Sequence, residues 1–118
     1  MKDKIYHLET KTRIYPFCFN LNVMEELQEK YGSITAWGKL VSTSADEEPK
    51  IKELIDGLNI MINEAIEIEN EEQDKNDSLV SLKQTGRIIS EVGLKNVLNL
   101  IMGTAKKSTE ADNKEKNV

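Results

Sequence analysis

The sequence has few of the residues from which catalytic and metal sites are built. Its 118 residues include one cysteine and one histidine, which excludes a disulfide within the chain. A metal site at His7 would need Cys18 or carboxylates as further ligands, and neither lies at a metal-site spacing from it. There is no phosphate-binding glycine loop and no nucleophile elbow. We therefore predict a protein that is not an enzyme, with no catalytic residue, no metal and no cofactor.

Long apolar runs and an excess of basic residues are also missing. No apolar run approaches the roughly 20 residues that span a bilayer, and nothing at the N-terminus resembles a signal peptide. The formal net charge of −5 disfavours anionic membranes and nucleic-acid backbones as main targets. The acidic run invites a calcium interpretation, but residues 74–85 have Leu79 where an EF-hand loop needs glycine and Thr85 where it needs glutamate, so a solvated loop is the better interpretation. We expect a cytosolic protein that binds neither membrane nor nucleic acid.

The first third of the chain predicts a β-hairpin and a short helix. Residues 4–21 are rich in Ile, Tyr, Phe and Thr around a polar turn that begins at Glu9, and Pro16 confines the second strand to an edge or a bulge. Asn22 is the predicted cap of a helix near 23–31, which Gly32 ends. The face of this helix predicts a packing brace that fixes the hairpin against a long helix.

Apolar periodicity predicts four more helices, near 34–41, 50–68, 82–91 and 94–107. Ser33 is the expected cap of the first, and Ser81 with Gln84 forms a capping box before the third. The fold class is therefore mainly α (α+β), with a small N-terminal hairpin packed on a bundle of about five helices. One domain covers 1–107, and 108–118 is a predicted disordered tail. The expected core includes Leu54, Leu58, Ile62, Leu98 and Ile101.

Two sets of apolar residues are candidates for binding a partner. Some lie off the main stripe of the long helix, and others lie on the last helix; they are Ile60, Met61, Ile68, Leu94, Val97 and Ile101. The alternative is that all six fill one core, because most apolar stripes on helices are core.

Residues 81–101 also have the outline of a helix-turn-helix, with two short predicted helices joined at Gly93. The second helix would offer Lys95, Asn96 and Asn99 to a DNA groove, with Arg87 on the helix before it. Few phosphate contacts are available in such a set. A small DNA-binding regulator and a host-directed adaptor encoded by a mobile element remain alternatives.

Three segments in succession resemble the tail assembly chaperones of long-tailed bacteriophages and prophages. They are "KTRIYPFCFNLNVMEELQEKYGSI", the apolar helix "IKELIDGLNIMINEAI", and "SLKQTGRIISEVGLKNVLNLIMGTAKKS". The resemblance covers roughly residues 4–108, and its motifs include an Asn-led helix ending in Tyr-Gly and a terminal G-x-x-x-V-x-x-x-I pattern at Gly93, Val97 and Ile101.

The resemblance implies a non-enzymatic role in tail morphogenesis. Members of this family coat the tape measure protein, recruit major tail tube subunits, and are absent from the finished virion. It also implies action in the host cytoplasm and possible homo-oligomers. Many members are also made as a longer frameshifted form, of which this chain would be the short counterpart.

Overall fold

A computed structural model describes the backbone of residues 4–42 and 47–116, with side chains described as far as residue 107. In chain order its elements are β1 (Tyr6–Glu9), β2 (Ile14–Phe17), α1 (Leu21–Tyr31), α2 (Ile34–Val41), α3 (Ile51–Gln73), α4 (Leu82–Val92) and α5 (Leu94–Lys116). The mainly α class with an N-terminal hairpin is confirmed. Part of the polar loop predicted before Pro49 lies outside the described residues.

The hairpin is an antiparallel pair in which Tyr6 lies opposite Phe17 and Glu9 lies opposite Ile14. Its turn falls slightly later than predicted, since the Thr10 N–H and hydroxyl both donate to the Arg13 carbonyl oxygen, at 2.8 Å each. Phe17 is buried, whereas Ile14 is exposed. Because the sheet has two strands, Pro16 occupies an edge strand as predicted.

Helix α3 is the central element, and β2, α1, α2 and α4 all pack on it. The hairpin is held directly: the Cys18 N–H donates to the Met61 carbonyl oxygen within α3, at 3.3 Å. The hairpin thus contacts the long helix without α1 between them. Instead α1 packs on α2 and α3.

The N-terminus of α1 also differs from prediction. Asn20, not Asn22, is the cap: it has extended backbone angles, and its side chain accepts the Val23 N–H at 3.1 Å. Asn22 lies inside the first turn, where its amide donates to Glu64 Oε2 at 2.9 Å. Both asparagines bind this carboxylate, since the Asn20 amide donates to it at 2.8 Å. At the other end Gly32 has φ +91°, as expected for a helix that ends in a left-handed residue.

Trp37 of α2 packs directly on Gly57 of α3. A Cβ atom at Gly57 would lie 2.2 Å from Cζ2 of the indole, so only glycine allows this approach. The buried indole N–H donates to the Glu53 carbonyl oxygen at 3.0 Å. The close approach at Gly57 is thus made by a side chain of α2 rather than by the backbone of a second helix.

After α3 ends, the segment that leads to α4 runs back along α3. Two asparagines of α3 bind the backbone of this segment. Asn63 accepts the Val80 N–H at 2.8 Å and donates to the Val80 carbonyl oxygen at 3.1 Å. Asn70, two turns later, makes the same pair of bonds with Asp77, both at 3.0 Å. Helix α3 extends to Gln73, past the predicted boundary at 68, because Asn70 secures this last turn and Asp74 caps it with φ 51°.

Helices α4 and α5 meet at Gly93, which has φ +103°. The predicted Ser81–Gln84 capping box is present. Helix α5 does not end at 107: its backbone continues to Lys116, because the segment after 107 is rich in helix-forming Glu, Lys and Ala and contains no glycine or proline. Residues 117 and 118 of the predicted tail lie outside the described residues.

The predicted core is largely confirmed. Leu54, Leu58, Ile62 and Ile101 are fully buried, but Leu98 is only partly buried at the edge of the cluster. Periodicity placed Leu98 on the apolar side of α5, yet the buried line on that helix runs through Val97, Ile101 and Thr104.

Candidate partner-binding groove

The titratable side chains do not assemble into a metal or nucleophile site in the described part of the chain. No group of three or more His, Cys, Asp or Glu residues there could hold a metal ion. His7 is exposed and lies 3.7 Å from Glu69, measured from Nε2 to Oε2. Cys18 is buried in the core beside α3. No described helix combines the length and apolarity needed to cross a membrane.

The six residues predicted to bind a partner are not brought together. Met61, Val97 and Ile101 are fully buried, and Ile60 is 7% exposed at the wall of a polar cavity of about 420 Å³. Ile68 is partly buried against the core. These five are not an exposed surface because adjacent elements cover the side chains. Leu94 alone is substantially exposed, at 37%.

An open apolar groove lies where α3 and α4 pack together, and we call it the α3–α4 groove. Two adjoining cavities of about 760 and 920 Å³ share Ile51, Ile55, Lys83 and Gly86 as walls. Together they form a continuous depression along the first two turns of α3. The apolar and glycine residues that define the groove are Ile51, Ile55, Leu82, Gly86, Ile89 and Leu94.

Gly86 keeps the groove deep. It lies in the middle of α4, and a Cβ atom placed there would meet only Ile55 Cδ1, at 3.5 Å, which is an ordinary contact. The fold therefore does not require glycine at this position, in contrast to Gly57. A larger side chain would extend into the groove rather than into the core.

Charged side chains surround the groove, and its cations outnumber its anions. Lys30, Lys52, Lys83 and Arg87 line it together with Glu53, Asp56 and Glu91. Asp56 is ion-paired with Lys30, whose Nζ donates to it at 3.1 Å, whereas Glu91 accepts the backbone N–H of Lys11 at 2.8 Å and keeps its charge. By contrast, the polar cavity beside Ile60 is lined by Glu25, Glu26, Glu64 and Glu67. The groove thus lies on the less acidic side of the molecule.

A tyrosine fixes one end of the groove. The Tyr31 hydroxyl donates to Asp56 Oδ2 at 2.7 Å, which ties the end of α1 to α3 beside the Lys30–Asp56 ion pair. Partial burial, followed by the hydrogen bond and the charge of Asp56, raises the pKa of Tyr31 well above its usual value. The phenol therefore stays protonated and remains a donor through the physiological range.

Sequence reasoning missed most of this groove, although a signal was present. Ile51, Leu82 and Leu94 are the first residues of α3, α4 and α5, and they are 46%, 54% and 37% exposed. Helical periodicity assigns an apolar residue to the buried side, but at the first position of a helix the neighbouring element often begins too far away to cover it. An apolar residue at the first position of a helix is the signal that marks all three, and it also marks Leu21, which is exposed outside the groove.

Comparison with protein-family models, with curated proteins and with solved structures found no match to this chain.

Proposed function

We propose that this protein is a phage tail assembly chaperone without enzymatic activity. In this proposal it acts in the host cytoplasm, binds the tape measure protein, recruits tail tube subunits, and is left out of the mature virion. The resemblance of three successive segments to that family motivates the proposal. The observation that carries it is the α3–α4 groove, an exposed apolar depression that is flanked by helices and open to a further helix.

Binding a helix in this groove suits the chemistry of a long helical partner. A tape measure protein exposes apolar stripes along its length until tube subunits cover them, and an amphipathic helix in an apolar groove is a recurring mode of recognition. Many copies on one tape measure could each bind weakly, because neighbouring sites on one tether raise the effective concentration.

The DNA-binding alternative receives less support. Of the amides proposed to reach a DNA groove, Asn96 donates to the Val92 carbonyl oxygen at 3.0 Å and so serves the junction between α4 and α5. Arg87 lines the α3–α4 groove, whereas Lys95 lines a different cavity. A gel shift with duplex DNA at low salt tests this alternative directly, and we expect no shift.

Co-expression with the tape measure protein encoded beside this chain tests the proposal. We expect the tape measure protein to stay soluble, in a complex that native mass spectrometry shows to hold several copies of this chain. Gly86→Met should abolish the effect by filling the groove, whereas Gly38→Met, at a helical glycine with nothing within 4 Å, should retain it.

His7→Ala and Cys18→Ser should also retain the effect, because neither side chain does chemistry in this proposal. A tape measure protein that is insoluble with and without this chain would contradict the assignment. So would a one-to-one complex with a host enzyme.

A further inference from the structure

We infer that the α3–α4 groove selects an amphipathic helix whose apolar stripe is flanked by acidic side chains. The inference rests on the proposed function only in taking a helical protein segment as the occupant. It adds the chemistry of that segment, which is set by the cations at the rim.

The shape of the groove matches about two turns of helix. Its α4 wall runs from Leu82 through Gly86 to Ser90, which is roughly 12 Å at ~1.5 Å per residue. Its α3 wall presents Ile51 and Ile55 one turn apart. A partner with apolar residues at positions i, i+4 and i+7 could place the middle one over Gly86, where no side chain intervenes.

The charges at the rim determine which residues are favoured beside the apolar stripe of the partner. Lys52, Lys83 and Arg87 make no ion pair with any residue that the structure describes, so their charge is available to a ligand. Against these three cations, the lining carboxylates that no described ion pair engages are Glu53 and Glu91, so the unpaired charge at the rim is positive by one. Acidic flanks would meet these cations, whereas basic flanks would bring like charges together at short range.

A second copy of this chain is a poor occupant. Among the described side chains, the large apolar ones exposed outside the groove are Ile14, Leu21, Leu79 and Leu100, and they lie on four different segments. None of the described helices outside the groove offers two of them at helical spacing, so no second stripe is available to fill the groove of a neighbour. The positive rim in a chain of net charge −5 instead favours a different, acidic partner.

Three synthetic helical peptides test the inference on the intact protein. Each has about 18 residues and the same Leu stripe, and the flanking residues are Glu in the first, Gln in the second and Lys in the third. Fluorescence anisotropy of labelled peptide measures the affinity. We expect the Glu peptide to bind about tenfold more tightly than the Lys peptide at low salt, with the difference shrinking at high salt.

Two matched double variants distinguish the effect of the rim cations from the effect of the net charge of the protein. Lys83→Glu with Arg87→Glu should abolish or reverse the preference for the Glu peptide. Lys39→Glu with Lys95→Glu changes the net charge by the same amount at exposed positions outside the groove, and should leave the preference nearly unchanged. Circular dichroism checks that both variants fold.

Several results would overturn the inference. They are equal binding of the Glu and Lys peptides, equal loss of preference in both double variants, and Glu-peptide binding that survives Gly86→Met. A self-association seen in sedimentation that Gly86→Met removes would show that the occupant is a second copy.

The proposed function and this inference can fail separately. If the tape measure protein stays insoluble while the peptide preference holds, the proposed function fails and the inference stands. If the Lys83→Glu, Arg87→Glu variant still solubilises the tape measure protein fully, the proposed function stands and the acidic partner is wrong.

Discussion

At the scale of single residues, Gly57 and Gly38 both lie inside helices, but they should respond in opposite ways to a larger side chain. Alanine at an exposed helical glycine normally stabilises by up to ~1 kcal/mol, and we expect this of Gly38→Ala because the space around it is open. Gly57→Ala should instead lower the free energy of unfolding by roughly 1–3 kcal/mol, since the buried Trp37 indole must move. Urea unfolding of both variants measures the contrast. Equal effects would show that the indole packs elsewhere.

Tyr31 gives a residue-scale prediction with a pH dependence. Its pKa is raised in the folded chain, so its contribution to stability is present below the ordinary tyrosine pKa of about 10 and is lost as the pH rises above it. Tyr31→Phe removes the hydrogen bond to Asp56 and should cost about 1 kcal/mol at pH 7. The difference between the two proteins should shrink above pH 10 in chemical denaturation. A stability difference that grows above pH 10 would contradict this prediction.

At the scale of elements, the contact between α3 and the returning chain depends on Asn63. Asn63→Ala leaves the N–H of the buried Val80 without its side-chain acceptor, which should cost roughly 1–3 kcal/mol. Hydrogen exchange at the Val80 amide should accelerate more than the loss of global stability explains. Asn99→Ala, at an exposed position of α5, is the control and should change neither quantity.

The ends of the helices also show which features of the fold can be predicted from local sequence. Caps at Ser33, Ser81 and Gly93 were predicted correctly, because each depends on the groups of a few adjacent residues. The end of α3 was not, because Asn70 extends the helix by binding a segment that follows it. The sequence around Asn70 does not show that Asp77 will lie close enough to form these bonds.

The α3–α4 groove was missed for a related reason. Periodicity shows which side of a helix is apolar, but it does not show whether another element covers that side. Ile55 and Leu58 are three residues apart and so lie on the same side of α3, yet Leu58 is fully buried and Ile55 lines the groove. The cover is decided by where α4 crosses α3, and that crossing depends on the whole fold.

At the scale of the whole molecule, one core joins the hairpin and the helices, and its centre and edge should respond differently to truncation. Leu58→Ala creates a cavity in the middle of α3 and should cost roughly 2–5 kcal/mol. Leu98→Ala removes a partly buried side chain and should cost clearly less. Denaturation midpoints of the two variants test the ranking. The reverse order would mean that α5 carries more of the core than its position indicates.

The central position of α3 has a consequence for folding during synthesis. The hairpin, α1 and α2 precede α3 in the chain, yet each packs on it, and the Cys18 N–H and the Trp37 indole both find their acceptors there. A ribosome adds roughly 5–20 residues per second, so the N-terminal third leaves the exit tunnel seconds before its support is complete. Until then Phe17, Leu27 and Trp37 have no central helix to cover them, and the nascent chain must be protected or wait unfolded until α3 emerges.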